Sequence, residues 1–313
     1  MFGPSRTTVN TIKTTASPTQ LALSLTIPIS AKADPADRPT RDDRLAAAHA
    51  VLARGVSGVR TDPAALAAFL VFRSHFRDYS LNNTVLIWMQ RPSARHCMGF
   101  KAWQAHGRRV RKGERGLTVF APVARKVTEA EVVAGRDPAD KTVVAFRTAV
   151  TFDYEQTEAT RDDALVYTPP AARLNTEAPE GLVGSLEAVA TALGYAVQYR
   201  EETGYADGWC SCRDKTVTAR SSLTGADRAS VLCHELAHAL AHDGDRETTR
   251  AQKELQAEGA AFVALAALGL DTSRASLAYL KGWAGDDDDA LLAELGAIDR
   301  IAADLLQRIE AVA

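Results

Sequence analysis

Residues 231–245 read VLCHELAHALAHDGD, and inside them His234, Glu235 and His238 form an H-E-x-x-H pattern. The leucines and alanines around it recur at helical spacing, so the pattern belongs to a helix. Thr224-Gly-Ala-Asp227 resembles a capping box at the start of that helix, with Asp in place of the usual Glu, and the helix is expected to stop near Gly244. At about 3.6 residues per turn, His234 and His238 share one face and can both reach one ion at about 2.0–2.1 Å. Glu235 lies beside that face, where a carboxylate can take a proton from an attacking water and pass it to a leaving amine. The plainer reading is a pair of histidines hydrogen-bonded in an Ala-rich core. The acid-bearing segment that succeeds the motif weighs against it.

A catalytic zinc needs a third protein ligand and one open position. Glu258, in KELQAEGAAFVA, is the best candidate, on the next helix and twenty residues after His238. A helix folding back across the first delivers a carboxylate at that remove, and Gly259, Ala260 and Ala261 leave room for close packing. Glu254 lies one turn earlier on the same face and is the rival ligand, or a partner that orients one. Two histidines and a carboxylate imply Zn2+, with Mn2+ or Co2+ as alternatives. His242 continues the face but lies about 12 Å along the axis from His234, too far to share an ion. It is expected at the helix C-terminus, where an imidazolium is favoured. Cys233 points about 100° away round the helix, into the core.

The chain has 313 residues, 37 of them Lys or Arg and 39 Asp or Glu, for a net charge of −2. That balance excludes a general pull toward nucleic acid and leaves only local patches. The length suits two domains, each with its own core. No apolar run reaches about 18 residues, so no membrane partner is expected. Cys97, Cys210, Cys212 and Cys233 are too few and scattered for a disulfide framework and read as free thiols in the cytoplasm. Residues 1–41, rich in Thr, Ser, Pro and Asp, read as a disordered tail. Within them LALSLTIPISAKA (21–33) resembles a short secretory signal, but Ser24, Thr26 and Pro28 interrupt its apolar core.

Residues 42–157 read as an α+β domain. DRLAAAHAVLARGV predicts a helix ending at Gly55, and Asp62-Pro63 opens a second with Asp as cap and Pro in the first turn. NNTVLIWMQRP is a third, closed by Pro92, and Phe100 to His106 a fourth, ended by Gly107. GLTVFAPV and KTVVAFRTAVTFDY are strands around a polar excursion. Residues 158–180 read as a linker, and 181–313 as a second, mainly helical domain with a small sheet. It holds a helix at LVGSLEAVATALGY, strands at AVQYR and WCSCRDKTVTAR, the motif helix, and helices near 247–268, 273–283 and 288–311.

The first domain carries its own signal. In FKAWQAHGRRVRKGERG (100–116), Lys101, Arg108, Arg109, Arg111, Lys112 and Arg115 face a single Glu114, with Phe100 and Trp103 interleaved. Cations attract phosphates and unpaired bases stack on aromatic rings, a combination suited to single-stranded nucleic acid. The plainer reading is a solvated charged turn with its tryptophan in the core.

Taken together, these segments resemble the ArdC-type antirestriction proteins, in which a single-stranded-DNA-binding domain precedes a zincin-like metallopeptidase domain. The blocks that carry the resemblance are RDYSLNNTVLIWMQRPSA, GFKAWQAHGRRVRKGERGLTVFAPV, TFDYEQTE, CHELAHAL, ELQAEGAAFVA, ASLAYLKGW and AIDRIAADLL. The resemblance implies that His234, His238 and Glu258 bind the metal, that Glu235 is the base, and that the first domain binds single-stranded DNA. It further implies protection of incoming plasmid or phage DNA, with an unspecified protein as the peptidase substrate. The acidic insert from Thr128 to Asp140 and the long tail depart from the family pattern. Two other functions stay open: a DNA-binding protein whose metal is purely structural, and a regulator-cleaving stress-response metalloprotease. The latter kind usually carries a helix-turn-helix module, which is not apparent in this sequence.

Overall fold

The computed structural model describes residues 39–137, 139–167, 177–201, 206–270 and 287–313. The signal-like stretch, the helix expected near 273–283 and the middle of the expected linker lie outside them. The chain is α+β. Helices α1 (Arg41–Thr61), α2 (Pro63–Ser74) and α3 (Leu81–Gln90) come first. Strand β1 (Cys97–Met98), helix α4 (Phe100–Ala105) and strands β2 (Arg108–Val110) and β3 (Leu117–Lys126) follow. A short helix α5 (Glu129–Val133), strand β4 (Lys141–Asp153) and strand β5 (Thr157–Ala159) complete the first half. The second half holds α6 (Leu182–Ala192), β6 (Ala196–Arg200), β7 (Gly208–Ser211), β8 (Thr216–Arg220), α7 (Gly225–Ala241), α8 (Arg250–Ala267) and α9 (Asp288–Val312).

Local chemistry explains most boundaries. Asp62 accepts from the Ala64 N–H and Pro63 sits in the first turn, as expected. Gly107, at φ 73°, ends the turn after α4. Gly55 does not end α1, which runs on to Thr61. A Cβ there would meet Val85 Cγ1 at 2.6 Å, so the glycine serves the crossing of α1 over α3, not a helix end. Thr224 is the N-cap of α7, but its side chain makes no capping bond. Thr249, by contrast, forms a full capping box with Gln252 at the start of α8.

β3 and β4 form a long antiparallel ribbon with β1 on its far side, giving the order β1-β4-β3. β3 is therefore an edge, and α3 closes its base. The Gln90 amide bonds both the N–H and C=O of Thr118, at 2.8 and 2.9 Å, and the Asn83 amide does the same for Phe120, at 2.7 and 2.9 Å. Side-chain amides replace a neighbouring strand there. A second sheet pairs β2 with β5, and a third has the order β6-β8-β7, with β6 parallel and β7 antiparallel to β8.

The buried apolar side chains form one contiguous cluster, from Val51 and Phe69 in the first half to Phe262 and Leu305 in the second. Two separate cores were expected; instead α8 and α9 pack against helices of both halves. Buried Arg73 on α2 meets Asp299 on α9 through two hydrogen bonds, at 2.7 and 2.9 Å. No helix among the described residues is long and apolar enough to cross a membrane, and all four cysteines are free thiols.

Candidate metal centre and basic surface

Helix α7 presents His234 and His238 one turn apart, and α8 crosses it with Glu254 and Glu258. The two Nε2 atoms are 3.1 Å apart. Glu254 Oε2 lies 3.6 Å from His234 Nε2 and 3.7 Å from His238 Nε2. A tetrahedral ion with bonds of about 2.0–2.1 Å sets its ligand atoms about 3.3 Å apart, so the three side chains fit one such ion. Glu258, the expected third ligand, is placed differently: its Oε2 bonds His234 Nδ1 at 3.0 Å, on the far side of the ring. Of the two carboxylates on this face, Glu254 joins the cluster and Glu258 holds an imidazole from behind. Among the described residues, the cluster that could hold an ion is His234, His238 and Glu254.

The electrostatics follow from burial and pairing. Burial depresses the basicity of His234, but bonds to Glu254 and Glu258 outweigh it, and the pKa is pushed up to about 10. The same histidines hold the Glu254 carboxyl well below its ordinary range. Glu235 is 7% exposed, and burial raises its pKa against the pull of His234 and His238. The backbone at Cys210 on β7 also opposes that rise, after the two histidines. Gly208 permits the close approach of α7 to this strand: a Cβ there would meet Val231 Cγ1 at 2.4 Å and Glu235 Oε1 at 3.4 Å.

A cleft of about 930 Å³ opens over these groups, lined by Gly208 and Trp209 on β7 and by Arg250 and Lys253 on α8. Three donor residues lining an open cleft, rather than four closing a shell, are the donor set a catalytic zinc would take rather than a structural one.

His242 caps the C-terminus of α7, as expected, but not as a favoured imidazolium: it is 7% exposed, and burial lowers its pKa. Its Nδ1 lies 3.0 Å from His238 Nδ1, and its Nε2 3.0 Å from Gln256 Oε1. The spacing of His238 and His242, again i and i+4, carried that contact in the sequence.

In the first half the structure divides the basic run. Trp103 is fully buried, with Nε1 donating to the Phe152 carbonyl at 2.8 Å, and offers no face to a base. Arg108 is also buried, bonded to Thr157 Oγ1 and the Leu165 carbonyl and stacked over the Tyr154 ring. These two are structural, a correction to their reading as DNA contacts: the ring and the guanidinium complete the packing of α4, β2 and β5. Lys101, Arg109, Arg111, Lys112 and Arg115 are exposed. Arg109 pairs with Glu158 and Arg111 with Glu114. Phe100, 47% exposed, is the accessible ring of the run.

Comparison with known proteins supports both halves. Residues 45–160 match the N-terminal domain of anti-restriction factor ArdC, and residues 198–297 match the IrrE N-terminal-like domain of peptidase family M78. An uncharacterized protein of Bacillus anthracis is 26% identical over 252 residues, covering 70% of this chain. The chain spans 43% of that relative's length. The crystal structure of antirestriction protein ArdC from plasmid R388 in its Mn(II)-bound form superposes with a TM-score of 0.50 at 20% identity, over 74% of this chain and 85% of that one. Its metal-free form gives 0.49 over the same shares. At that identity the likeness is one of fold.

Proposed function

Because the chain belongs to the ArdC-type antirestriction family, we propose that its first half binds single-stranded DNA and its second half is a metal-dependent peptidase, together protecting incoming plasmid or phage DNA. The observation that carries the peptidase reading is the convergence of His234 Nε2, His238 Nε2 and Glu254 Oε2 beside the buried Glu235. His234, His238 and Glu254 would hold the ion. Glu258 takes the place of a carboxylate that orients a ligand histidine, an arrangement that fixes the ring and its tautomer. Zn2+ suits these donors, and Mn2+ or Co2+ fit them too; the R388 relative has been crystallised with Mn(II).

A divalent ion at this place supplies Lewis acidity toward water and a carbonyl oxygen. The chain's own residues do the rest. Glu235, made more basic by burial, accepts a proton from the attacking water and returns it to the leaving amine. Glu235 lines the same cleft as the two histidines and Glu254. On the other half, the exposed Lys101, Lys112 and Arg115 face phosphates, and Phe100 gives a base a ring to stack on.

The test is an E235Q protein. It should keep its metal by elemental analysis and its affinity for an oligonucleotide, while losing at least about 100-fold in cleavage of a quenched peptide library. An E235Q protein that cuts as fast as the unaltered chain removes the catalytic assignment. DNA affinity that survives chelation, with no peptide cut, leaves a DNA-coating protein with a structural ion.

A further inference from the structure

We propose that Glu294, Gln256 and His242 are positioning residues that decide which nitrogen of His238 faces the metal cluster; the proposal rests on the metal reading of that cluster. One end of the chain of bonds has a fixed polarity. The Thr249 backbone N–H can only donate, and it bonds Gln252 Oε1 at 3.1 Å. The Gln252 NH2 therefore points the other way, donating to Glu294 Oε1 at 2.6 Å. A carboxylate only accepts, so the second bond to Glu294, from Gln256 Nε2 at 2.7 Å, has the same sense.

Gln256 must then turn its oxygen toward His242 Nε2, which lies 3.0 Å away and has to carry the proton. His242 Nδ1 is left to accept, and His238 Nδ1, 3.0 Å from it, has to donate. The proton of a neutral His238 is thereby kept on Nδ1. Its Nε2 is left as a bare lone pair, 3.1 Å from His234 Nε2. One donor sense runs unbroken through four side chains, from a carboxylate on α9 to a cluster histidine on α7.

The cost of the chain supports a function for it. Glu294 is 7% exposed, as is His242, and among the described residues Glu294 has no cationic partner. Burying a carboxylate against neutral amides is unfavourable next to an apolar alternative of the same shape. Adhesion of α8 to α9 does not require it, since Gly259 already packs against Ile298 and the surrounding contact is apolar. The carboxylate does set a polarity that no apolar residue could set.

Reversing that polarity is a specific test. In E294Q, the Gln252 NH2 claims the new carbonyl, and the new NH2 faces Gln256. Gln256 must flip, His242 must accept at Nε2 and donate at Nδ1, and the His238 proton moves to Nε2, the atom meant for the ion. In Q256E, two carboxylates face each other. The Q256E/E294Q double variant restores the original sense, with an acceptor toward His242 and a donor behind it. Zn2+ affinity of the full chain is measured by competition with a chromophoric chelator, with circular dichroism as the check on folding. E294Q, which reverses the sense, should bind Zn2+ about 10–100-fold more weakly, Q256E keeps an acceptor toward His242 and so the original sense, and the double should recover to within about threefold of the unaltered protein. Unchanged affinity in E294Q, or a double no better than E294Q, overturns the proposal while leaving the metal site standing. An unaltered chain that takes up no Zn2+ overturns the metal reading instead. In that case imidazole 15N spectra of the metal-free protein still decide the polarity. His242 should carry its proton on Nε2 in the unaltered chain and on Nδ1 in E294Q; a proton on Nδ1 in the unaltered chain overturns the proposal.

Discussion

Two glutamates one helical turn apart on α8 play different parts because α8 crosses α7 at an angle. Glu254 reaches the outer edges of both imidazoles, and Glu258 reaches the back of one. E254Q should therefore lose more Zn2+ affinity than E258Q, whose loss should stay within about 10–100-fold; chelator competition measures both. Sequence spacing singles out the histidines, since i and i+4 on a helix leaves no choice of face. It does not choose between two carboxylates on one face, because the choice is made by the crossing of two helices. The charge on His234 also couples stability to pH. A pKa raised from about 6.5 to about 10 gives the metal-free protein a stabilisation that is complete below pH 6.5 and vanishes as pH climbs through 10. The melting temperature of chelated protein should fall across that window by several degrees more than that of metal-loaded protein, where the ion replaces the proton.

At the scale of elements, caps and breakers carried most of the information. Asp62-Pro63 sets the start of α2, and the β-branched runs of β3 and β4 set a ribbon. Gly55 was misleading, since a glycine demanded by a neighbouring helix looks the same in sequence as one that ends its own. The basic run was misleading in the same way. Nothing local distinguishes Arg108, stacked over Tyr154 in the interior, from Arg109, which faces water. Only the cations that face water can meet a phosphate. Replacing Lys101, Lys112 and Arg115 together by Ala should lower the dependence of log affinity for single-stranded DNA on log salt by about 2, at about 0.7 per phosphate contact. Replacing the buried Arg108 should instead lower the melting temperature, and an unaltered salt slope in the triple variant removes these cations from the interface.

At the scale of the molecule, the two halves predicted from motifs are joined through a single interior. The α2–α9 ion pair of Arg73 and Asp299 and the apolar cluster from Val51 to Leu305 tie one to the other. No window of sequence reports this, because the residues that meet are over 200 positions apart. Scanning calorimetry of the whole chain should give one transition, and two resolved transitions would mean that the shared interior does not bind the halves into one cooperative unit. From that shared interior comes a kind of mutual insurance. On the proposed function, a strand of DNA bound by the first half at a hundredfold excess over its dissociation constant would lend about 2.7 kcal/mol to everything that melts with it. The cleft over His234 and His238 would then withstand heat and proteases best while DNA is bound.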